Sequence, residues 1–166
     1  NLLFAISVEG LMVIGMTIVM IGRGFDLSIG SIMAFSGVLV IDFQHLGIIP
    51  SCLIGVLAGL ILGLFNGFLV AYIKINPFIS TLGTMVMVRG LVMTYTNARP
   101  SVGENFEFMM LAREKFLGVP LLFIIFLFFA IIFIIILKRT LYGRYIYALG
   151  GNEEALRLSG VNVKII

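Results

Sequence analysis

The sequence predicts an all-α, polytopic integral membrane protein, and three observations lead to that fold class. Of the 166 residues, 61% are hydrophobic and only 11% are charged, whereas a soluble domain is typically about 45–50% apolar and about 25% charged. The mean hydropathy is +1.20, a surplus that a chain of this size cannot hide in a core because much of its surface stays exposed. The apolar residues also form runs long enough for helices that cross a bilayer.

Five apolar segments are predicted to be transmembrane helices of one partial transmembrane domain, residues 1–166. A span needs about 20 mainly apolar residues, and the segments 2–21, 48–73, 77–96 and 120–137 meet or approach that length. The segment 27–41 has only fifteen residues, so we expect its helix to be short or tilted against its neighbours.

The distribution of Lys and Arg predicts the orientation of these segments. The region 138–166 carries five basic residues against two acidic ones, so we expect it to be cytoplasmic. Counting back through the spans places the loops at Arg23 and Lys74 in the cytoplasm and the loop 97–119 outside. The start of the chain then also lies outside, and we expect one further span before it.

A glycine stripe in the third segment predicts close helix packing. Gly55, Gly59, Gly63 and Gly67 recur every four residues, which keeps them near one helix face where another backbone can approach. Asn66 lies beside the stripe and is a candidate for a hydrogen bond across the same interface, or for a position on a transport pathway.

Three ionisable residues lie in or beside the predicted spans. Asp26 belongs to the stretch GRGFDLSIGS (22–31), which fits either a tight turn in which Asp26 and Ser28 cap the next helix or a broken helix that lines a pathway. Glu9 and Arg89 lie inside spans, where charges are costly and usually face the bundle interior or a water-filled cavity. They are candidates for pairing with each other, for structural polar contacts or for the transport pathway.

The sequence contains no pattern that predicts catalysis or a metal site. It has one His and one Cys, and it lacks both a nucleophile–base motif and the phosphate-binding pattern GxxxxGK[ST]. The net charge of +3 is not concentrated on one segment, so no nucleic-acid partner is predicted. The predicted partner of the apolar surface is membrane lipid. If ATP is used, another chain must hydrolyse it.

The stretch GRYIYALGGNEEALRLSG, residues 143–160, predicts a short polar helix on the cytoplasmic side. Two adjacent glycines end the preceding helix, and Asn152 is a candidate N-cap. Glu153 and Glu154 occupy the first turn, where the helix dipole favours carboxylates, and Gly160 ends the helix. A helix of about two turns is marginal in water, so it needs a surface to dock on: the membrane interface or a cytoplasmic partner.

The same residues resemble a known family. Glu154 to Gly160, EALRLSG, resembles the Glu-Ala-Ala…Gly signature of ABC importer permeases, with Leu156 in place of the second Ala. Three longer stretches resemble ribose-type sugar permeases, in that family's order and spacing and over essentially the whole chain: GMTIVMIGRGFDLSIGSIMAFSG (15–37), FISTLGTMVMVRGLVMTYTNARP (78–100) and LYGRYIYALGGNEEALRLSGVNV (141–163).

The resemblance implies a multi-pass permease subunit of an ATP-driven importer that moves a ribose-like monosaccharide across the bacterial inner membrane. Its implied partners are a second permease subunit in a homodimer, a periplasmic sugar-binding protein and a cytoplasmic ABC ATPase, which uses the ATP while this chain binds no cofactor. Glu154, Ala155 and Gly160 match the coupling motif that contacts the ATPase, and Asn152 and Glu153 begin the same helix. Because the family's permeases are longer, we expect a fragment.

An ion-coupled secondary transporter or channel is the alternative interpretation. It would explain the spans, the glycine stripe, Glu9 and Arg89, but it leaves the polar helix after residue 151 without a role. Binding to a cognate ATPase separates the two interpretations.

Overall fold

A computed structural model describes residues 2–103, 105–116 and 118–166, and these residues are mainly helical. Their α-helices are, in chain order, α1 Leu2–Ile21, α2 Ile29–Asp42, α3 Ile48–Ala71, α4 Pro77–Tyr95, α5 Phe106–Arg113, α6 Leu121–Arg139, α7 Leu141–Gly151 and α8 Glu153–Leu158. Short 3₁₀ turns lie at Gln44–Leu46 and Val163–Ile165, and the two-residue strands β1 (Lys115–Phe116) and β2 (Val119–Pro120) pair antiparallel.

The five predicted segments all form helices, and each helix boundary lies within two residues of the predicted one. Four of the helices, α1, α3, α4 and α6, are long and apolar enough to cross a membrane. The fifth, α2, has 14 residues and is about 21 Å long at about 1.5 Å per residue, against a hydrocarbon core of about 30 Å. It is therefore as short as its sequence indicates, and its length alone does not make it a complete span.

The chain forms two compact units. The first holds the residues up to Phe25 and those from Ala112 onward. In it α1 packs along α6, α7 contacts both of these helices, and α8 packs on α7. Gly10 of α1 faces α6, and a Cβ there would lie 2.5 Å from Cε2 of the Phe126 ring.

The second unit, Asp26–Leu111, is built on α2, which packs against both α3 and α4. Its buried side chains are mostly small or polar: Ser28, Asn66 and Thr84 are buried, together with Val88. Large apolar side chains of these helices point outward instead. This arrangement is expected where lipid is the solvent, because apolar side chains gain nothing by leaving it while close packing and hydrogen bonds still hold helices together.

Two helices that end at loops predicted to be cytoplasmic close with a basic residue in the left-handed conformation. Arg23 after α1 has φ 62°, and Lys74 after α3 has φ 65°. After α1 the amide of Gly24 donates to the carbonyl of Val19 at 2.8 Å, and the amide of Arg23 donates to the carbonyl of Met20 at 3.0 Å. These bonds satisfy carbonyls that the helix end leaves without partners.

The loop predicted between the fourth and fifth segments contains structure that the sequence analysis missed. It holds α5 and the β1–β2 hairpin. Asn105 precedes α5, and its Oδ1 accepts a hydrogen bond from the amide of Glu107 at 2.8 Å. The Asn105 cap was the available sequence signal, but a helix of eight residues has too few turns for a clear apolar period.

Candidate functional site

The polar helix that the sequence predicts after residue 151 is α8, Glu153–Leu158. The Oδ1 atom of Asn152 accepts a hydrogen bond from the amide of Ala155 at 3.0 Å, so Asn152 is the N-cap as predicted. Glu153 and Glu154 lie in the first turn. Gly160 follows with φ +85°, a conformation that glycine adopts without steric cost.

One side of α8 is anchored and the rest is exposed. Leu156 is buried, with 6% of its surface exposed, whereas Asn152 to Ala155 and Arg157 to Gly160 are exposed. Arg157 and Glu154 approach to 3.7 Å with side chains 70% and 75% exposed, and such a surface ion pair contributes little to stability. The acidic first turn of the helix and the backbone around Gly160 are thus accessible to a binding partner.

A buried hydrogen-bond network joins the three main helices of the second unit. The hydroxyl of Thr84 on α4 donates to Oδ1 of Asn66 on α3 at 2.6 Å, and Nδ2 of Asn66 donates to the hydroxyl oxygen of Ser28 at 2.9 Å. The Ser28 hydroxyl in turn donates to Oδ1 of Asp26 at 2.5 Å. The three side-chain bonds donate in one direction, from Thr84 through Asn66 and Ser28, and end on the carboxyl group of Asp26.

The network changes the interpretation of the turn before α2. Ser28 occupies the N-cap position of α2 but makes no side-chain capping hydrogen bond. Its hydroxyl is turned toward Asp26 and Asn66, and the Asp26 carboxylate accepts the Ser28 amide at 2.7 Å. The predicted cap by the Ser28 hydroxyl is therefore wrong, because this buried hydroxyl has a tertiary partner that a local pattern cannot show, whereas the Asp26 carboxylate does accept an amide at the start of α2.

Arg89 lines a groove within the second unit. The groove lies between α2 and α4, holds about 400 Å³ and is lined mainly by apolar side chains, among them Leu27, Met85 and Val92. Arg89 is exposed and makes no ion pair with a described residue of this unit. Glu9 is an exposed residue of α1 in the other unit, and its pairing with Arg89 stays a prediction.

The glycine stripe of α3 divides into two halves. A Cβ at Gly55 would lie 2.5 Å from Cγ2 of Val40 on α2, and one at Gly59 would lie 3.5 Å from the hydroxyl oxygen of Ser36. At Gly63 and Gly67 no described atom lies within 4 Å of the corresponding position. In the described residues the stripe therefore faces a helix only at its N-terminal half.

The sequence analysis missed Thr84 and the burial of Ser28, although a signal for Thr84 was present. Ser80, Thr84 and Val88 recur every four residues and are all buried on α4. The hydropathy of α4 is 1.3, the lowest of the four long helices. Small polar residues in a transmembrane helix tend to face other helices, so this weakly apolar segment indicated an interior face.

These features together define a class of protein. Four long apolar helices and an interior of small and polar side chains are typical of a multi-pass helical membrane protein.

Comparison with known proteins identifies the family. The chain belongs to the family described as branched-chain amino acid transport system / permease component, which it matches along residues 1–166. It is 40% identical to the ribose import permease proteins of Bacillus subtilis, over 98% of this chain, and of Haemophilus influenzae, over 100% of it. It is 39% identical to the L-arabinose transport system permease protein of Escherichia coli over 96% of the chain. No solved structure gives a significant match.

The chain spans about half the length of the curated relatives it matches. It covers 52% and 53% of the two ribose import permeases and 49% of the arabinose permease. These relatives are transport permeases by name, and the resemblance to sugar permeases expected from the sequence is confirmed.

Proposed function

We propose that this chain is part of the permease subunit of an ATP-driven importer that moves a monosaccharide across the inner membrane. The observation that carries the proposal is α8, a capped helix with an exposed acidic first turn at the position of the coupling motif. The relatives named for ribose, D-allose and L-arabinose support a sugar as the substrate.

The shape of α8 suits a coupling element. The helix has six residues, which is too short for stability in water without a docking surface. Leu156 anchors it to its own unit, while Glu154, Ala155 and Gly160 remain exposed. A cytoplasmic ATPase that binds this face would push or pull on α8, and through α7 on the span α6.

The remaining parts of the proposal concern partners. A second permease subunit completes the pathway, a sugar-binding protein delivers the substrate outside, and a separate ATPase chain uses the ATP. We assign Asn66 to helix packing and not to sugar contacts, because it is 5% exposed and both its amide oxygen and its amide nitrogen are hydrogen-bonded to neighbouring helices. Asp26 accepts both Ser28 bonds on Oδ1 alone and stays a candidate for either role. Glu9 and Arg89 stay candidates for the pathway.

A cysteine cross-link tests the coupling role. In the full-length protein, Cys52→Ser removes the only cysteine of this region, and Ala155→Cys places a thiol on the exposed face of α8. The protein is co-expressed with the ATPase encoded beside it and treated with a thiol cross-linker with and without ATP. We expect a permease–ATPase product whose yield changes with ATP.

A thiol on the opposite side of the membrane is the matched control. Val102 is 74% exposed and lies in the loop predicted to be outside, so Val102→Cys should give no such product. Absence of the product from well-inserted Ala155→Cys protein whose thiol reacts from the cytoplasm would refute the coupling role and favour a secondary transporter. Uptake of radiolabelled ribose, allose and arabinose by a strain that lacks its own permeases then identifies the sugar.

A further inference from the structure

Helix α7 is held between the ends of two membrane spans by two glycines. A Cβ at Gly143 would lie 2.3 Å from the carbonyl oxygen of Leu137 and 2.5 Å from that of Ile136, both in α6. A Cβ at Gly150 would lie only 1.8 Å from the carbonyl oxygen of Ile21, the last residue of α1. At both places α7 touches backbone, which cannot move aside as a flexible side chain can.

These glycines are required by space and not by backbone conformation. Neither has a positive φ, and both lie inside a helix, where glycine costs about 0.5–1 kcal/mol relative to alanine. Gly143, Ile146 and Gly150 fall on one face of α7, and Ile146 between them is buried. The hydrogen that replaces a Cβ at Gly150 faces the Ile21 carbonyl, which is the arrangement of a Cα–H···O contact.

The contact at Gly150 lies next to the exposed helix. Asn152, the N-cap of α8, follows Gly150 by two residues, and Leu156 buries its side chain in the same unit. Leu149 lies on the other side of the contact, with its Cδ2 3.7 Å from the position of a Cβ at Gly22. The residues between α8 and the contact with α1 are therefore few, and no flexible linker separates them. If α8 is displaced, the force acts on the end of α1 through this contact.

We propose that Gly150 is a positioning residue that joins α7 rigidly to the C-terminal end of α1, so that a movement imposed on α8 reaches α1 directly. This inference rests on the proposed function, because it takes α8 to be the element on which the ATPase acts. It adds the route: the first span of this chain is driven through the Gly150–Ile21 contact, in addition to α6, to which α7 is joined in sequence.

Two neighbouring glycines give a matched pair of variants for the test. Gly150→Ala inserts a methyl group against the Ile21 carbonyl, whereas Gly151→Ala places the same group where no described atom lies within 4 Å. The measurement is the number of sugar molecules imported per ATP hydrolysed, in proteoliposomes with the full-length permease, its ATPase and its binding protein. A purely structural loss lowers import and hydrolysis together and leaves this ratio unchanged.

We expect Gly150→Ala to lower the ratio of sugar imported to ATP hydrolysed about tenfold. The added methyl group overpacks against the Ile21 carbonyl, and the usual cost of overpacking, applied to the step that transmits the movement to α1, corresponds to a change of about that size. Gly151→Ala should stay within about twofold of the parent protein, as exposed substitutions usually do. Equal ratios for the two variants would overturn the inference. Absence of ATP-dependent uptake from the parent protein itself would instead refute the proposed function, and this inference with it.

A second experiment keeps the inference testable if Gly150→Ala does not insert. Gly22→Cys and Leu149→Cys in a Cys52→Ser background allow a short bifunctional thiol reagent to lock α1 to α7. If the two helices move as one body, locked protein keeps its uptake within about twofold of protein treated with a monofunctional reagent. Uptake that stops on locking, and returns when the link is reduced, would show that the helices separate and would overturn the inference.

Discussion

The network of Thr84, Asn66 and Ser28 makes a quantitative prediction about stability. Thr84→Val removes the hydroxyl that donates to Asn66 at 2.6 Å and keeps the shape of the side chain. Interhelical hydrogen bonds within membranes contribute on average about 0.6 kcal/mol and at most about 1.7 kcal/mol. Because Asn66 is only 5% exposed and would keep an unpaired oxygen, we expect the free energy of unfolding to fall by about 0.6–1.7 kcal/mol.

Asn66→Leu extends the same reasoning. It removes two interhelical bonds, from Thr84 and to Ser28, so about 1.2 kcal/mol is expected at the average strength. Ser28 keeps Asp26 as its acceptor, and the Thr84 hydroxyl is free to turn to a carbonyl of its own helix. The double variant should therefore lose less than the sum of the two single losses, by about 0.6 kcal/mol, the strength of the bond that both single variants remove.

The assay is reversible unfolding of the full-length protein in mixed micelles of increasing SDS content. Thr94→Val on the same helix is the control, since Thr94 is exposed and makes no side-chain hydrogen bond with a described residue; its effect should stay within about 0.5 kcal/mol. A Thr84→Val loss no larger than that of Thr94→Val, or a coupling energy of zero between Thr84 and Asn66, would refute the reasoning.

Two further predictions concern packing and coupling. Gly55→Ala should destabilise the protein by about 1–3 kcal/mol in the same unfolding assay, because its Cβ would overlap a side chain of α2. Gly63→Ala is the control: its Cβ would contact no described atom, so the change should be neutral or stabilising by up to about 1 kcal/mol. Equal losses of stability for the two variants would contradict the packing of α3 against α2. Glu154→Lys should lower sugar uptake at least about tenfold by reversing a charge at the proposed ATPase contact, and Gly160→Val should add strain of about 1–2 kcal/mol at φ +85° and lower uptake too. Both should insert normally by membrane fractionation, and unchanged uptake would argue against the coupling motif.

The sequence by itself determined the membrane class, the helix boundaries and the capped helix after residue 151. These features depend on local physics. Length and hydropathy define a span, and Asn152 with two following carboxylates is a local signal for the start of a helix. The shortness of α2 was likewise visible, because the segment between Asp26 and Asp42 has too few residues to cross a bilayer alone.

Only the tertiary structure decided which polar residues meet and which glycines are in contact. Ser28 and Asn66 are 38 residues apart in the sequence, and Asn66 and Thr84 are 18 apart, so their hydrogen bonds depend on how α2, α3 and α4 pack. The four glycines of α3 look equivalent in sequence, yet among the described residues only Gly55 and Gly59 face α2. Gly150 and Gly151 are adjacent and identical in type, but only Gly150 lies against the Ile21 carbonyl. Periodicity fixes the face on which a residue lies, while the packing of the helices fixes what that face meets.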